Sequence, residues 1–582
     1  MAAAPPPTIP VPTGVWRFLP AMDALRRYSA LDARFDLVAG LTVAAIAVPQ
    51  AMAYAMAAGI DPVYGLYSAI VITAVGAVFD SSRQLINGPT NATSIAVLSA
   101  TAAIAVPDKL EAVLLLGFLI GAIQLAITLL RLGDLTRYIS HSVVVGFTAG
   151  AALLLMLDQT KNLLGQQALG DPHAAFVMRF WASLVHGGPV HGLTLAVGLG
   201  SVALAVGLRH VKTRMGWPLF PDFLLIVVGM AVVTGVGHLD ERGVRVVGEI
   251  PAKLPTFVSP NFDMTQMQDL AGSAFAIALL GLLEALAMAK GLAARTGQRL
   301  DLNQQCLSEG IANLSGSFFQ CLPGSGSLTR SAINQQAGAR TQWSGVWSAV
   351  AVALIMLVFA PYARFIPRAA LAGLLIVAAW RMVDREALLY SVRATRFDAI
   401  LIAGTAFSAV FISVEFCILI GVILSFLLAV PRAGRMLLSE FVVANAEGHV
   451  HERLAADKAD PEMLIFGLEG EMFFGAGPFL EAHLDEMESR LERSTRVLVL
   501  RVKRARNPDA VGTHLIDGFV RRLHARGVHV ILCGVREDLH RVFIRTGLVN
   551  LIHRDHVFRE SAVRQTSTTE AVLYARKVLG RG

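Results

Sequence analysis

Between Leu37 and Val430 the chain is a succession of apolar runs, about fourteen of them, each roughly 15–22 residues long. A helix rises 1.5 Å per residue, so one such run crosses a ~30 Å hydrocarbon layer once. Only 16% of the residues are charged and 54% are hydrophobic, with a mean hydropathy of +0.58. Soluble domains carry nearer a quarter charged residues, so most of this chain must be solvated by lipid or by its own helices. The pattern predicts an all-α polytopic membrane protein and excludes a secreted or cytosolic globular enzyme.

The runs begin near Leu37, Tyr64, Asn91, Glu111, Ser142, His191, Asp222, Ala271, Cys306, Leu328, Ser344, Arg368, Phe397 and Glu415. Met1 to Gly14 is Ala/Pro-rich without a basic segment, which predicts a cytoplasmic tail rather than a cleavable signal. With that tail inside, alternate loops collect Arg83, Arg131, Arg137, Arg209, Lys212, Arg214, Arg295, Arg299, Arg340, Arg381, Arg385, Arg393, Arg396, Arg432 and Arg435. The opposite loops hold only scattered cations such as Lys109, Lys161, Arg242 and Lys253. Positive residues gather on the cytoplasmic side, so both termini are expected there. The net charge of +7 sits in these short loops and implies no nucleic-acid partner. Cys306, Cys321, Cys417 and Cys533 are scattered without metal-type spacing and are expected to be reduced and structural.

A polar segment from Gly237 to Asp269 divides the runs seven and seven, and a repeat of odd length enters the membrane inverted in its second copy. An internal echo supports this. In the first half "AVPQAMAYAM" (Ala47 to Met56) is followed about forty residues later by "NGPTNATS" (Asn87 to Ser94). In the second half "LLEALAMAKG" (Leu282 to Gly291) precedes "LPGSGSLTRS" (Leu322 to Ser331) at a similar interval. Each half thus carries a Pro/Gly break that opens a short helix of small residues, the sequence pointer to a transporter's binding site.

After Arg432 the composition changes. Residues 432–462 are read as a polar linker, and from Met463 apolar β-rich runs ("MLIFGLEG", "RVLVLRV", "VHVILCGV") alternate with amphipathic stretches. That alternation predicts a small α/β domain over residues 463–578. Its last helix is expected to start at a capping box from Ser567 to Glu570.

Backbone that leaves helical geometry at membrane depth must line a cavity or be buried in protein. A helix starting at such a break turns free N–H groups and a positive dipole end inward, which suits an anion. Gly324, Ser325, Gly326, Ser327 and Thr329 surround the second break, and Arg330 adds a permanent charge; Thr90 and Asn91 open the helix after the first. The competing reading is a surface turn with Arg330 reaching for a lipid headgroup. Glu284 lies mid-run with only uncharged neighbours, and an intramembrane carboxylate is by default a functional residue. It would hold a co-transported cation or proton, or else pair structurally with Arg330 or Lys290. Gln50 and Tyr54 follow Pro49 on one helical face, where they line a cavity or pack against a neighbour. No nucleotide-binding loop, metal cluster or nucleophile motif accompanies these, so neither a cofactor nor ATP-driven transport is expected.

Three stretches resemble the SulP family of anion transporters, the sulfate permeases: "VPQAMAYAMAAGIDPVYGLYSA", "SRQLINGPTNATS" and "LNQQCLSEGIANLSGSFFQCLPGSGSLTRSAIN". The C-terminal unit resembles a STAS domain. The resemblance implies a 7+7 inverted repeat of fourteen spans, divided into core (spans one to four and eight to eleven) and gate. The third and tenth spans would be half-helices facing one anion, with Thr329 and Arg330 at the anion and Glu284 at the position linked to cation or proton coupling. An elevator-like motion and a homodimer belong to the same expectation. One departure stands out: the family of antagonist STAS domains places a phosphorylatable Ser or Thr in an Asp-x-Ser/Thr-Gly turn, where this chain has Asp509, Ala510, Val511 and Gly512. The domain is therefore expected to dock or assemble rather than to act as a phosphoswitch.

The expected function is secondary active transport of an inorganic anion, sulfate first, with H+ or Na+ or by exchange, in a bacterial-type plasma membrane. Bicarbonate, chloride and dicarboxylate remain compatible. A nucleobase permease is disfavoured by the charge of Arg330, and a membrane-anchored signalling protein by the paired helix breaks.

Overall fold

The structure is a computed structural model; it describes residues 18–105, 108–131, 140–167, 169, 176–216, 220–561, 563 and 565–581. The N-terminal tail up to residue 17 and Arg137 lie outside the described residues. The chain divides into two compact units after Ser425, within its last apolar helix.

The first unit is helical. After a short α1 (Pro20–Leu25) come α2 (Ala30–Ala57), α3 (Pro62–Phe79), α4 (Asn91–Ala100), α5 (Lys109–Leu129), α6 (His141–Leu164), the amphipathic α7 (Phe176–His186), α8 (Gly192–Met215) and α9 (Asp222–Val236). Beyond the polar crossover lie α10 (Met264–Thr296), α11 (Leu302–Phe318), α12 (Leu328–Gln336), α13 (Trp343–Phe359), α14 (Arg368–Met382), the amphipathic α15 (Arg385–Ala394), α16 (Arg396–Phe411) and α17 (Val414–Ala433). A helix begins no more than seven residues from every start expected from the apolar runs. Length and composition alone make eight of the described helices long and apolar enough to cross a membrane, so a count of fourteen crossings does not follow from them. The two shortest of the expected set, α4 and α12, are those opened by the Pro/Gly breaks.

Packing separates the helices into two groups. In one, α2, α3, α5, α10, α11 and α13 pack on one another and hold α4 and α12; in the other, α6 packs on α14 and α16, and α8 on α14 and α9. Close approach rests on small residues, as lipid-embedded helices require. A Cβ on Gly65 of α3 would lie 2.0 Å from the carbonyl oxygen of Ala51 in α2, and one on Gly121 of α5 would lie 2.5 Å from the amide of Leu314 in α11.

Between these helices two short strands, β1 (Asn87–Gly88) and β2 (Ser325–Gly326), pair antiparallel, Asn87 opposite Gly326 and Gly88 opposite Ser325. The two sequence breaks, some 240 residues apart, thus meet in one ladder.

The second unit is built on a six-stranded sheet. Strands β3 (Leu437–Val443), β4 (Val450–Glu452), β5 (Met463–Glu471), β6 (Val497–Arg506), β7 (His529–Val535) and β8 (Val557–Arg559) lie in the order β4-β3-β5-β6-β7-β8, with β5 to β8 parallel and β3 antiparallel to both neighbours. The stretch expected as a linker therefore supplies two strands; "LLSEFVV" is short, and its Ser and Glu mask the alternation. Along β6, Val497 and Val499 face one apolar cluster, with Ala571, Val572 and Ala575 of α22 (Thr566–Val578). Leu498 and Leu500 face the other, with residues of α18 (Gly477–Ser489), α19 (Ala510–Ala525), α20 (Glu537–Arg545) and α21 (Leu548–Ile552). Both faces are covered, as a parallel sheet demands. The capping box expected from Ser567 is not formed: α22 starts at Thr566 after Gln565, which sits in the left-handed region (φ 65°) with no side-chain cap. All four cysteines are buried, and burial pushes the Cys533 thiol up to about 12.

Asp509 caps α19: its Oδ1 accepts from the Gly512 amide at 2.9 Å and its Oδ2 from the Phe474 amide at 2.5 Å. Val511 stands 44% exposed in the first turn, with no hydroxyl to modify. Losing such a cap costs about 1 kcal/mol. Hydrogen exchange on full-length Asp509→Ala is therefore expected to show the Gly512 and Phe474 amides about fivefold less protected, with the β6 amides unchanged.

Candidate functional site

The site grows from the ladder. Thr90 caps α4, its Oγ1 accepting from the Thr93 amide, and Ser327 caps α12, its Oγ accepting from the Arg330 amide at 3.5 Å. Because β1 and β2 pair and each leads into its helix within three residues, the N-termini of α4 and α12 both lie next to the ladder. First-turn N–H groups of a helix lack intrahelical partners, so two positive dipole ends converge there.

Irregular backbone in this position needs partners, and the surrounding helices supply them. The Thr73 hydroxyl of α3 donates to the Asn87 carbonyl at 2.6 Å, and the Leu322 amide donates to Ser68 Oγ at 2.7 Å. Asn313 of α11 accepts from the Gly324 amide at 2.8 Å and donates to the Gly324 carbonyl at 3.0 Å. Gly88 has φ 146°, and a Cβ on Gly324 would lie 2.5 Å from the Gly88 carbonyl carbon, so both positions require glycine.

Glu284 of α10 reaches the junction of both breaks. Its Oε2 accepts from Thr90 Oγ1 at 2.9 Å and from Ser325 Oγ at 2.7 Å, one hydroxyl from each half of the sequence. Arg330 is 1% exposed; its Nη2 donates to the Pro89 carbonyl at 2.7 Å, and its Nε has no partner. Neither residue ion-pairs with the other, although Tyr54, Glu284 and Arg330 are close enough to interact electrostatically. A buried guanidinium bound only to a neutral carbonyl is costly and electrostatically open to an anion.

The other expected residues are placed as follows. Gly324, Ser325, Gly326, Thr90, Glu284 and Arg330 come together at the ladder. Gln50 and Tyr54 are buried on α2, and Gln50 Oε1 has no partner. Asn91 Nδ2 makes a weak contact of 3.6 Å to Met382 Sδ, and its Oδ1 has no partner. A half-turn of either amide presents its NH2 instead. Thr329 does not join the cluster: it is exposed, beside an exposed Leu328. Outside the expected set, Asp61 caps α3, and Asp158 pairs with Lys161 at 2.7 Å.

Sequence reasoning missed three buried groups. Asp80, at the end of α3, accepts from Asn87 Nδ2 at 3.0 Å, Gln305 Nε2 at 2.5 Å and Ser308 Oγ at 2.6 Å. Gln124 of α5 accepts from Asn313 Nδ2 at 3.0 Å. Glu309 of α11 is fully buried. The available signal was a polar stripe at i, i+4, i+8 on α11: Gln305, Glu309 and Asn313. No group of His, Cys, Asp and Glu among the described residues is arranged to hold a metal ion.

Comparisons with known proteins bear on the family and the fold. The sulfate permease family matches residues 34–405, and the STAS domain matches residues 455–563. The protein YvdB of Bacillus subtilis is 31% identical over 527 residues, 90% of this chain and 95% of that one. The chloroplastic sulfate transporter 4.1 of Arabidopsis thaliana is 29% identical over 547 residues, 90% of this chain and 78% of that one. Among solved structures, the murine Slc26a9 anion transporter in its inward-facing state superposes with a TM-score of 0.87 at 22% identity, over 97% of this chain and 94% of that one. The transmembrane domain of the cyanobacterial bicarbonate transporter BicA gives a TM-score of 0.59 at 24% identity, over 68% of this chain and 98% of that one. At such identities these two likenesses bear on the fold alone. The chain belongs to the sulfate permease family, as an integral membrane transporter and not an enzyme, with a STAS domain after its membrane helices.

Proposed function

We propose that this chain is a secondary active transporter of inorganic anions, with sulfate its first substrate, coupled to H+ or Na+ at Glu284 or working by exchange. The observation that carries the reading is the junction of α4 and α12: two helix N-termini at one ladder, with a buried guanidinium that no carboxylate pairs among the described residues. Relatives named as sulfate transporters favour sulfate over bicarbonate, chloride or dicarboxylate. The anion would sit between the first turns of α4 and α12, within the field of Arg330 and flanked by Gln50, Tyr54, Asn91, Ser325 and Ser327. Thr329 joins it only if α12 turns or the cavity widens.

Electrostatics supports coupling at Glu284. Like charges ~4 Å apart repel by about 4 kcal/mol at an effective dielectric constant of 20, roughly a thousandfold in affinity. An ionised Glu284 between the two breaks opposes an incoming anion by about that much. Neutralising it with a proton or Na+ lifts the opposition, and anion and cation then move together. We place the protein in a bacterial-type plasma membrane with both termini cytoplasmic, as a homodimer. Alternating access would come from sliding of the helix group that holds the ladder against the group of α6, α8, α9, α14 and α16. The STAS domain serves docking or assembly.

The test is purified protein in liposomes, given labelled sulfate, bicarbonate or succinate under imposed H+ and Na+ gradients. Arg330→Ala is expected to lower sulfate uptake at least about a hundredfold with the fold intact, since charge-assisted contacts contribute ~3 kcal/mol. Unchanged uptake would remove Arg330 from the site. A glutamine at 284 still accepts both hydroxyls, so Glu284→Gln keeps the ladder assembled. It is expected to leave downhill sulfate exchange and to abolish gradient-driven accumulation. Full accumulation in that variant assigns the carboxylate a structural role instead.

A further inference from the structure

Three acidic side chains lie in the interior behind the ladder, and their environments differ. Asp80 receives three side-chain donors, and Glu284 receives two hydroxyls. Glu309 has only a weak approach from the Gln305 amide: it is 0% exposed, and neither carboxyl oxygen has a partner of hydrogen-bond geometry. An ionised carboxylate without well-placed donors in such a place costs several kcal/mol, more than a helix packed this closely recovers elsewhere. A protonated carboxyl avoids that cost.

The charged and titratable groups that face Glu309 are few. Asp80 faces it from the end of α3 and Glu284 from α10, with Arg330 of α12 beyond Glu284. On α11 itself the polar neighbours are Gln305, Ser308 and Asn313, and α5 presents the neutral amide of Gln124. Among the described residues nothing cationic stands against Glu309, so its charge has no local counterweight. Its acidic neighbours add repulsion.

We propose that Glu309 is a second proton-binding position of the membrane core, protonated in the conformation described and coupled through space to Glu284 and Asp80. This rests on the reading of Glu284 as the coupling residue. The step is proton exchange alone: the O–H of Glu309 breaks as a neighbouring carboxylate, or the solution, takes the proton. Because like charges resist ionising together, whether Glu309 holds its proton determines how readily Glu284 keeps its own.

Two measurements on the full-length protein test this. Infrared spectra across a pH titration, in H2O and D2O, read the carbonyl stretch of buried protonated carboxyls. A band is expected in the wild type at neutral pH, retained in Asp80→Asn/Glu284→Gln and lost in Glu309→Gln. The double variant keeps Glu309 intact, so absence of the band there overturns the proposal even if Glu309→Gln does not fold. In liposomes, Glu309→Gln removes a neighbour that becomes negative as pH rises, so half-maximal sulfate uptake is expected to move down by about one pH unit. A wild-type pH profile together with an unchanged infrared band overturns it. The infrared result is independent of transport, so a failure of the sulfate or coupling assignment reads differently from a failure of the Glu309 assignment.

Discussion

The structure depends on the satisfaction of a few peptide groups. Where the chain stops being helical, at Asn87–Gly88 and Ser325–Gly326, its N–H and C=O groups cannot turn to water at membrane depth, and lipid offers them nothing. The two breaks answer one another by pairing. What the pairing leaves over is met by Thr73 and Ser68 of α3, Asn313 of α11 and Ser331 of α12, whose hydroxyl accepts from the Ile86 amide at 2.9 Å. Each donor or acceptor lost would strand a buried partner at a cost of about 1–3 kcal/mol. The same hydrogen bonds that make a broken membrane helix tolerable also fix the convergence of two helix N-termini. Stability and binding geometry are here one set of contacts.

That set leaves its charges unbalanced in a specific way. Arg330 is anchored to the Pro89 carbonyl and Glu284 to two hydroxyls, so each charge is held by neutral dipoles and neither cancels the other by contact. Had the two formed a close ion pair, an incoming anion would first have to break it. Held apart, the guanidinium keeps its field, and in the proposed coupling an ionised Glu284 opposes the anion until a cation neutralises it. The small residues of both breaks matter for the same reason. Gly88 and Gly324 bring the backbones close enough that Thr90 and Ser325 reach one carboxylate oxygen.

The fold was legible where physics acts through length and period. Apolar runs of membrane-crossing length located the helices, and the equal intervals to "NGPTNATS" and "LPGSGSLTRS" indicated that the two breaks belong together. What the sequence hid was contact between distant segments. Nothing in "LLEALAMAKG" says that Glu284 meets Thr90 and Ser325. Asp80 stands at the end of an apolar run, where a carboxylate carries no signal of burial, and Glu309 stands among the Gln, Ser and Asn of "LNQQCLSEGIANL", whose helical stripe is apparent only once α11 is known to be enclosed. Thr329 was drawn in as a small polar residue after the break and by the family resemblance, yet successive helical residues point about 100° apart, and it is exposed. In the C-terminal unit the strands of the expected linker were missed because β4, at the sheet edge, has three residues, and Ser439 and Glu440 interrupt the apolar pattern of the inner strand β3.

The distribution of these contacts bears on movement. Every hydrogen bond that holds the ladder comes from α3, α4, α10, α11 or α12, within one packing group. Among the described residues the hydrogen bond of this site that reaches the other group is Asn91 Nδ2 to Met382 Sδ on α14, and a thioether is a weak acceptor; α4 otherwise meets α6, and α2 meets α9 and α14, by packing alone. Sliding one group past the other would therefore break little at the site itself: the ladder, Arg330 and Glu284 would travel as a body with their geometry intact. A rocking motion that parted α4 from α12 would have to strip both hydroxyls from Glu284 and strand the peptide groups of both breaks. The energetics of the ladder thus favour a carrier in which the site moves whole and the cavity around it changes sides.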